Sequence, residues 1–199
     1  AQLRGEYAGG FLGGAASFGR IAASGSIYRP LARRLSWAAR VRGGTIHPFG
    51  REPVAGPTES DLLRVPFEER FRAGGGTTVR GHAEGSLGPY SAGNQVLGGL
   101  VLLVMNTEVR FPLFWEFGGA VFLDAGNVWA DYRDISWSRW ANGWKRADYS
   151  PLDAVYGMGG GVRLRTPVGP VRLDYGLKLG RERPGSGRGE WHFSLGQAF

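Results

Sequence analysis

The feature that most limits how this chain folds is a strict alternation of apolar residues with charged or small ones. It is clearest from Val171 to Leu179, where every odd position is apolar and the even positions carry Arg172, Asp174, Gly176 and Lys178. Successive side chains of a β-strand point to opposite faces, so this segment predicts a strand with one apolar and one polar face. Similar alternation near 35–42, 117–124 and 191–199 predicts an all-β protein.

The amino-acid composition further limits the class of protein to which this chain can belong. The 199 residues are 42% apolar at a net charge of +7, which is too apolar for a disordered chain. The longest uncharged apolar stretch, Val96 to Met105, has ten residues, whereas a membrane helix needs about 18 or more. The chain has no cysteine, which excludes disulfides and thiolate chemistry. It begins with Ala rather than Met, so we expect it to be processed or cut from something longer.

Eight antiparallel strands are predicted, and the lengths of their connections alternate. The strands lie at about 2–9, 17–30, 34–46, 95–111, 114–129, 153–166, 169–180 and 190–199. Tight turns are predicted at 31–33, 112–113 and 167–168, and longer connections at 10–16, 47–94, 130–152 and 181–189. Short turns on one side and long loops on the other are typical of a transmembrane β-barrel in the bacterial outer membrane. A soluble β-sandwich is the alternative.

Side-chain chemistry favours the membrane barrel. The polar faces are rich in Arg and Gly, as expected for a hydrated lumen. Aromatic residues near strand ends predict the girdles that lie at lipid interfaces: Tyr28, Trp37, Phe111, Phe114, Trp115, Trp129, Trp191 and Phe199. The basic residues are dispersed, which argues against nucleic acid as a partner and favours lumen lining or contact with outer-membrane lipid and lipopolysaccharide.

The long loop between the third and fourth strands, predicted at 47–94, carries an ordered motif. The motif reads Glu69-Arg70-Phe71-Arg72-Ala73-Gly74-Gly75-Gly76-Thr77-Thr78-Val79-Arg80-Gly81-His82, then Leu87-Gly88-Pro89. It resembles the segment E-R-F-x-x-G-G-x-x-T-V-R-G-[FY] followed by L-G-P of the BamA/TamA-type outer-membrane insertases, also called bacterial surface antigens. His82 departs from the family pattern, which has Phe or Tyr at this position.

Four further segments resemble motifs of the same family in the same order: Asn106 to Pro112, Phe122 to Trp129, Gly161 to Tyr175, and the ending Phe193 to Phe199. Residues 1–65 match in pattern only. The resemblance implies that the whole chain, 1–199, is the C-terminal half of a 16-stranded barrel with the long loop inside the lumen. An eight-stranded barrel has room only for its own side chains, so an internal loop independently requires more strands. An upstream segment of the chain or a second copy are the candidate sources.

Three charged residues are predicted to lie close to one another at the tip of the loop. Glu108 and Asp124 lie on adjacent predicted strands, and Arg80, followed by Gly81, lies at the loop tip. A guanidinium can bridge two carboxylates through its planar fork, so we expect Arg80 to reach both and to pin the loop inside the barrel. The resemblance implies the same contact. The alternative is three unrelated charges lining a hydrated lumen.

The terminal strand carries the second candidate site. Trp191, Phe193, Leu195 and Phe199 share one face, and the resemblance implies that this ending is an assembly signal that closes on an aromatic residue. A weakly paired seam beside this strand could open sideways and template an incoming strand by β-augmentation, the mechanism proposed for the family. A plain closing strand is the alternative.

No other chemistry is predicted. His47, His82 and His192 lack metal-ligand spacing, and no triad supports an enzyme, so we expect neither a metal nor a cofactor. The preferred function is insertion or assembly of unfolded outer-membrane proteins. The alternatives are a two-partner secretion exporter and a structural barrel without transport activity.

Overall fold

The computed structural model describes residues 1–13, 16–50, 61–142, 145, 150–167, 169–180 and 187–195. Eight strands make up most of it: β1 (Gln2–Ala8), β2 (Phe18–Ala32), β3 (Leu35–Pro48), β4 (Val101–Pro112), β5 (Phe117–Trp129), β6 (Val155–Leu164), β7 (Val171–Leu179) and β8 (Gly189–Leu195). Two short helices, α1 (Asp61–Arg64) and α2 (Trp137–Asn142), lie in the connections. Within these ranges, no helix is long and apolar enough to cross a membrane.

The strands form one antiparallel sheet in the order of the sequence, β1 to β8. Each strand pairs with the next, from Gln2 opposite Ser24 to Leu177 opposite Gly189, and the register of β2 with β3 shifts between Pro30 and Ala32. In the described part of the chain, β1 pairs only with β2, and β8 pairs only with β7. The sheet formed by the described strands is therefore open, with one free edge at each end, and these strands do not close into a narrow cylinder.

The two faces of the sheet differ in what covers them. The long loop connects β3 to β4, and its described part from residue 61 to 100 packs against one face, here called the inner face. Its apolar side chains join those of the sheet in one buried cluster that includes Val65, Phe71, Val79, Leu87, Leu102, Val104 and Val128. The outer face exposes apolar side chains along the strands, among them Val121, Leu123, Leu173, Leu177 and Phe193. An uncovered apolar outer face with a polar, loop-filled inner face matches the alternation in the sequence.

The start of β4 differs from its predicted position. The sequence predicts a strand from 95, but β4 begins at Val101. The preceding residues belong to the long loop instead, because Gly99 exchanges backbone hydrogen bonds of 2.9 Å with Phe71. Gly98 makes this turn with φ of 69°, a conformation that favours glycine.

The predicted aromatic girdle is only partly reproduced. Tyr28, Phe114, Trp115 and Trp191 are exposed at the ends of strands. The placement of Trp129 in the girdle is wrong, since it is 1% exposed. Its indole N–H donates to the carbonyl of Leu152 at 2.9 Å, so the connection after β5 folds over it. Phe199 lies outside the described residues.

Candidate functional site: an ionic cluster beneath the long loop

Tight turns bring the tip of the long loop to the inner face. Gly74, Gly75 and Gly81 have φ between 90° and 102°, which side-chain-bearing residues rarely adopt. The backbone N–H of Gly75 donates to the carbonyl of His82 at 2.9 Å, and the Thr78 hydroxyl donates to the carbonyl of Gly74 at 2.8 Å. The loop tip is thus closed on itself and presents Arg80 toward the sheet.

Arg80 makes a two-pronged contact with Asp124. Its Nε lies 2.7 Å from Oδ2 and its Nη2 lies 2.9 Å from Oδ1, while its backbone N–H donates to Oδ2 at 3.1 Å. Its Nη1 lies 2.9 Å from Oε2 of Glu108. The strand register explains why both acids are in reach, since Asn106 stands opposite Asp124 and Glu108 is the next inward residue on β4. The structure therefore brings together Arg80, Glu108 and Asp124.

Asp174 of β7 is a third acid in the cluster, which the sequence reasoning did not assign to it. Its Oδ2 lies 3.4 Å from Nη1 of Arg80 and 2.8 Å from Nη2 of Arg172. Arg163 of β6 pairs with both Asp174 and Glu108. The signal was present in the sequence, because Asp174 was already placed on the polar face of its strand. The sequence does not give the register of the strands. That register brings Asp174 within reach of Arg80, although β7 is two strands away from β5.

The inner face is cleared of side chains where the loop tip lies. A Cβ on Gly157 would be 1.8 Å from the carbonyl oxygen of Arg80, and a Cβ on Gly176 would be 2.3 Å from the nitrogen of Gly81. The guanidinium carbon of Arg80 lies 3.5 Å from the centre of the Phe122 ring. The arginine is therefore held by carboxylates at its edge and by an aromatic ring against its flat face.

Burial makes the cluster electrostatically strong. The side chains of Arg80, Glu108, Asp124 and Asp174 are each 0–1% exposed. Burial by itself would lower the pKa of Arg80, but hydrogen bonds to Asp124 and the charges of Asp124 and Glu108 outweigh it and raise that pKa above its ordinary value. A buried pair of this kind is costly to break from one side, because the remaining partner keeps an uncompensated charge.

The two residues after Arg80 connect the loop tip to other strands. The backbone N–H of Gly81 donates to Nε2 of His192 on β8 at 2.9 Å. The His82 Nε2 lies 3.4 Å from the carbonyl of Tyr156 on β6. Burial lowers the pKa of His82 to about 4, with the Tyr156 carbonyl opposing the shift and the charges of Lys178 and His192 adding to it. The ring of His82 is therefore neutral at pH 7.

Acidification is expected to loosen the loop tip through His82. The unfolded segment takes up a proton near pH 6.5, whereas the docked ring resists it until about pH 4. The contribution of His82 to docking is thus complete above pH 6.5 and is lost as the pH falls toward 4, by on the order of 2 kcal/mol at pH 5. Amide hydrogen exchange of residues 74–82, measured at pH 7 and pH 5 after correction for intrinsic rates, checks this expectation.

The matched variants for this test are His82→Phe and His47→Phe. His82→Phe should reduce the pH dependence of the corrected exchange, because residues 74–82 then contain no side chain that titrates between pH 5 and pH 7, and only the contact of Gly81 with His192 remains. His47 is exposed on β3, so His47→Phe should retain the pH dependence. An unchanged pH dependence in His82→Phe would assign the effect to another group.

The terminal-strand residues lie apart from the ionic cluster. Trp191, Phe193 and Leu195 are 66–71% exposed on the outer face of β8, while His192 points inward to Gly81. Phe199 was assigned to the same group and lies outside the described residues. The contact between His192 and Gly81 was not foreseen from the sequence, because it needs the position of the loop relative to β8.

The site consists of ion pairs and hydrogen bonds that hold the loop tip against the sheet. In the described segments, no group of three or more acidic or histidine side chains is placed to hold a metal ion. Most polar groups of the cluster pair with one another, and Asn106 Nδ2 adds a 2.9 Å hydrogen bond to Asp124. Among the described residues, Asn106 Oδ1 and Arg172 Nε have no hydrogen-bond partner. Such an arrangement fixes a backbone segment in place, and the expectations of no cofactor and no enzymatic activity stay predictions.

A family model and several known proteins match this chain. A family model described as the Omp85 superfamily domain matches residues 1–199. Outer envelope protein 39, chloroplastic, of Arabidopsis thaliana is 32% identical over 113 residues, covering 57% of this chain and 27% of that protein. The outer membrane protein assembly factor BamA of Nitratidesulfovibrio vulgaris is 27% identical over 199 residues, covering 98% of this chain and 22% of that protein.

A solved structure shares the fold. The crystal structure of BamA from Haemophilus ducreyi lacking POTRA domains 1–3 matches with a TM-score of 0.60 at 19% identity, over 89% of this chain and 34% of that chain. This chain therefore spans about a quarter of the length of the curated relatives named above and about a third of the solved barrel protein.

Proposed function

The chain belongs to the Omp85 superfamily, and from this premise we propose that it forms the C-terminal part of a barrel that assembles other proteins into the outer membrane. The predicted outer-membrane location agrees with the BamA relatives, whose names describe outer-membrane assembly factors. The proposed clients are unfolded outer-membrane β-barrel proteins. The surrounding partners are outer-membrane lipid and lipopolysaccharide.

The observation that carries this proposal is the buried contact of Arg80 with Asp124 and Glu108. A loop held by such a contact occupies the inner face of a sheet that the described strands leave open. Lumen space for a loop of this length requires more than eight strands. We therefore place the eight strands in a 16-stranded barrel, with the others supplied by an upstream segment or by a second copy.

The proposed mechanism uses the free edge of β8. An unpaired strand edge in lipid exposes N–H and C=O groups that cost several kcal/mol each, so a short or weak seam there is readily exchanged for another strand. An incoming client strand would pair with β8 by β-augmentation, without covalent chemistry. The hydrogen bond from Gly81 to His192 supports a link between this strand and the anchored loop.

Site-specific cross-linking tests this mechanism. The chain contains no cysteine, so a single introduced cysteine gives an unambiguous position. Ser194→Cys on β8 is expected to cross-link to a cysteine in the first strands of a client stalled during insertion into proteoliposomes. The same vesicles should accelerate folding of a urea-denatured outer-membrane barrel relative to empty vesicles.

Ser24→Cys is the control, because Ser24 lies in β2 with paired strands on both sides, opposite Gln2 and Arg42. It should give no client adduct. Adducts of equal yield at both positions would contradict strand templating at β8. Passage of a polypeptide into the vesicle lumen, without folding of a client in the bilayer, would favour the exporter alternative.

A further inference from the structure

A pocket at the turn end of the sheet borders the ionic cluster and lies outside the proposed seam. It has a volume of about 580 Å³ and is formed where the turns β2–β3, β4–β5 and β6–β7 come together. These are three alternate connections of a sheet whose strands follow the order of the sequence, so their turns lie side by side. We call this the turn pocket.

Its lining is strongly basic. Five arginines contribute, Arg33, Arg34, Arg110, Arg163 and Arg165, together with one acid, Glu116. Arg110 and Arg163 already pair with Glu108 and Asp174 of the ionic cluster. The other three arginines are exposed, and their guanidinium groups make no ion pair or hydrogen bond with any residue that the structure describes. Set against Glu116, they leave a formal surplus of two positive charges.

The turn beside the pocket has the character of a membrane anchor. Trp115 is 95% exposed, and Leu113 and Phe114 next to it are 47% and 62% exposed. Trp115 has φ of 49°, an uncommon conformation for a side-chain-bearing residue, which turns it away from the sheet. Exposed tryptophan and phenylalanine are typical of the level at which lipid headgroups lie.

We propose that the turn pocket binds the phosphate of an anionic lipid headgroup. The planar guanidinium group of arginine can bind phosphate through two parallel hydrogen bonds. Three guanidinium groups that have no partner among the described residues line this one cavity. The aromatic turn sets the cavity at headgroup level, where the acyl chains can follow the apolar outer face. This inference rests on the proposed membrane placement, and it is separate from client insertion.

Lipid titration of the protein in micelles of a neutral detergent tests the proposal, with bound lipid counted by native mass spectrometry. Phosphatidylglycerol is expected to bind more tightly than phosphatidylcholine. Replacing Arg33, Arg34 and Arg165 with glutamine should remove the preference, by about fivefold for each arginine. Lysine at the same three positions should retain part of it, because the charge remains while the fork is lost.

A charge-matched control removes three arginines elsewhere: Arg4→Gln, Arg133→Gln and Arg139→Gln. This variant should keep the preference for phosphatidylglycerol. Equal loss in both variants would show a general charge effect and overturn the pocket. Displacement of the lipid by inorganic phosphate at equal concentration would assign the site to free phosphate instead of a lipid. Tight, Arg33-dependent binding of a polyglutamate peptide without any lipid preference would equally overturn the proposal.

The readouts separate this inference from the proposed function. Strand content by circular dichroism and heat-dependent gel mobility identify a variant that has failed to fold, and the lysine variant then carries the test. If lipid preference is lost while client folding in vesicles persists, the pocket is supported as an independent lipid site. If client folding fails in the wild type while lipid preference is present, only the proposed function is contradicted.

Discussion

Replacing Arg80 with alanine is expected to release the tip of the long loop from the sheet. The change leaves Glu108, Asp124 and Asp174 facing one another at 0–1% exposure, with their central cation removed. Removing one partner of a buried pair costs on the order of 3–5 kcal/mol. Amide hydrogen exchange at residues 74–82 should therefore rise by at least about a hundredfold, and protease resistance of the loop should fall with it.

Arg80→Lys separates charge from geometry in the same experiment. A lysine keeps the charge but cannot hold both oxygens of Asp124 and reach Glu108 at once, so most of the loss should remain. Arg72→Ala is the control, because Arg72 is exposed on the same loop and stands over the Phe67 ring. If Arg80→Lys and Asp124→Asn both leave exchange and assembly unchanged, the tether hypothesis fails.

Much of the architecture follows from alternation alone. A strand buried on one face must place like residues two apart, so β7 could be read directly from Val171 to Leu179 and is found with those bounds. The open sheet, its all-antiparallel order and its similarity to a BamA barrel confirm the predicted fold class. The family resemblance is confirmed by the match over residues 1–199.

Alternation shows neither the register between neighbouring strands nor which loop segments pack over a given residue. Asp174 joins the ionic cluster because Gly161 stands opposite it and Ala120 stands opposite Gly161, which sets its distance from Arg80. Trp129 looked like a girdle residue because local sequence does not show that residues near Leu152 fold over it. The start of β4 was misplaced for the same reason, since Gly99 pairs with a distant loop residue.

The glycines under the loop tip are expected to be nearly as sensitive as Arg80. In Gly157→Ala the new methyl would lie 1.8 Å from the carbonyl oxygen of Arg80, and in Gly176→Ala it would lie 2.3 Å from the nitrogen of Gly81. Both neighbours are backbone atoms, which cannot swing aside as a side-chain end can. The loop must lift, so the contacts of Arg80 with Asp124 lengthen and weaken together. We expect a loss of docking of about 2–3 kcal/mol, within the range for overpacked sites.

Gly160→Ala provides the matched control on the same strand as Gly157. Its added methyl would find Ala120 at 3.4 Å and no closer atom, so it should leave hydrogen exchange of the loop tip unchanged. The comparison isolates close approach of the loop from any general effect of glycine on strand stability, because both variants change one glycine of β6 to alanine. Combining Gly157→Ala with Arg80→Ala should give less than the sum of the two losses, since the second change acts on a loop that has already lifted. Full additivity would show that Gly157 acts on the sheet rather than on the docked loop.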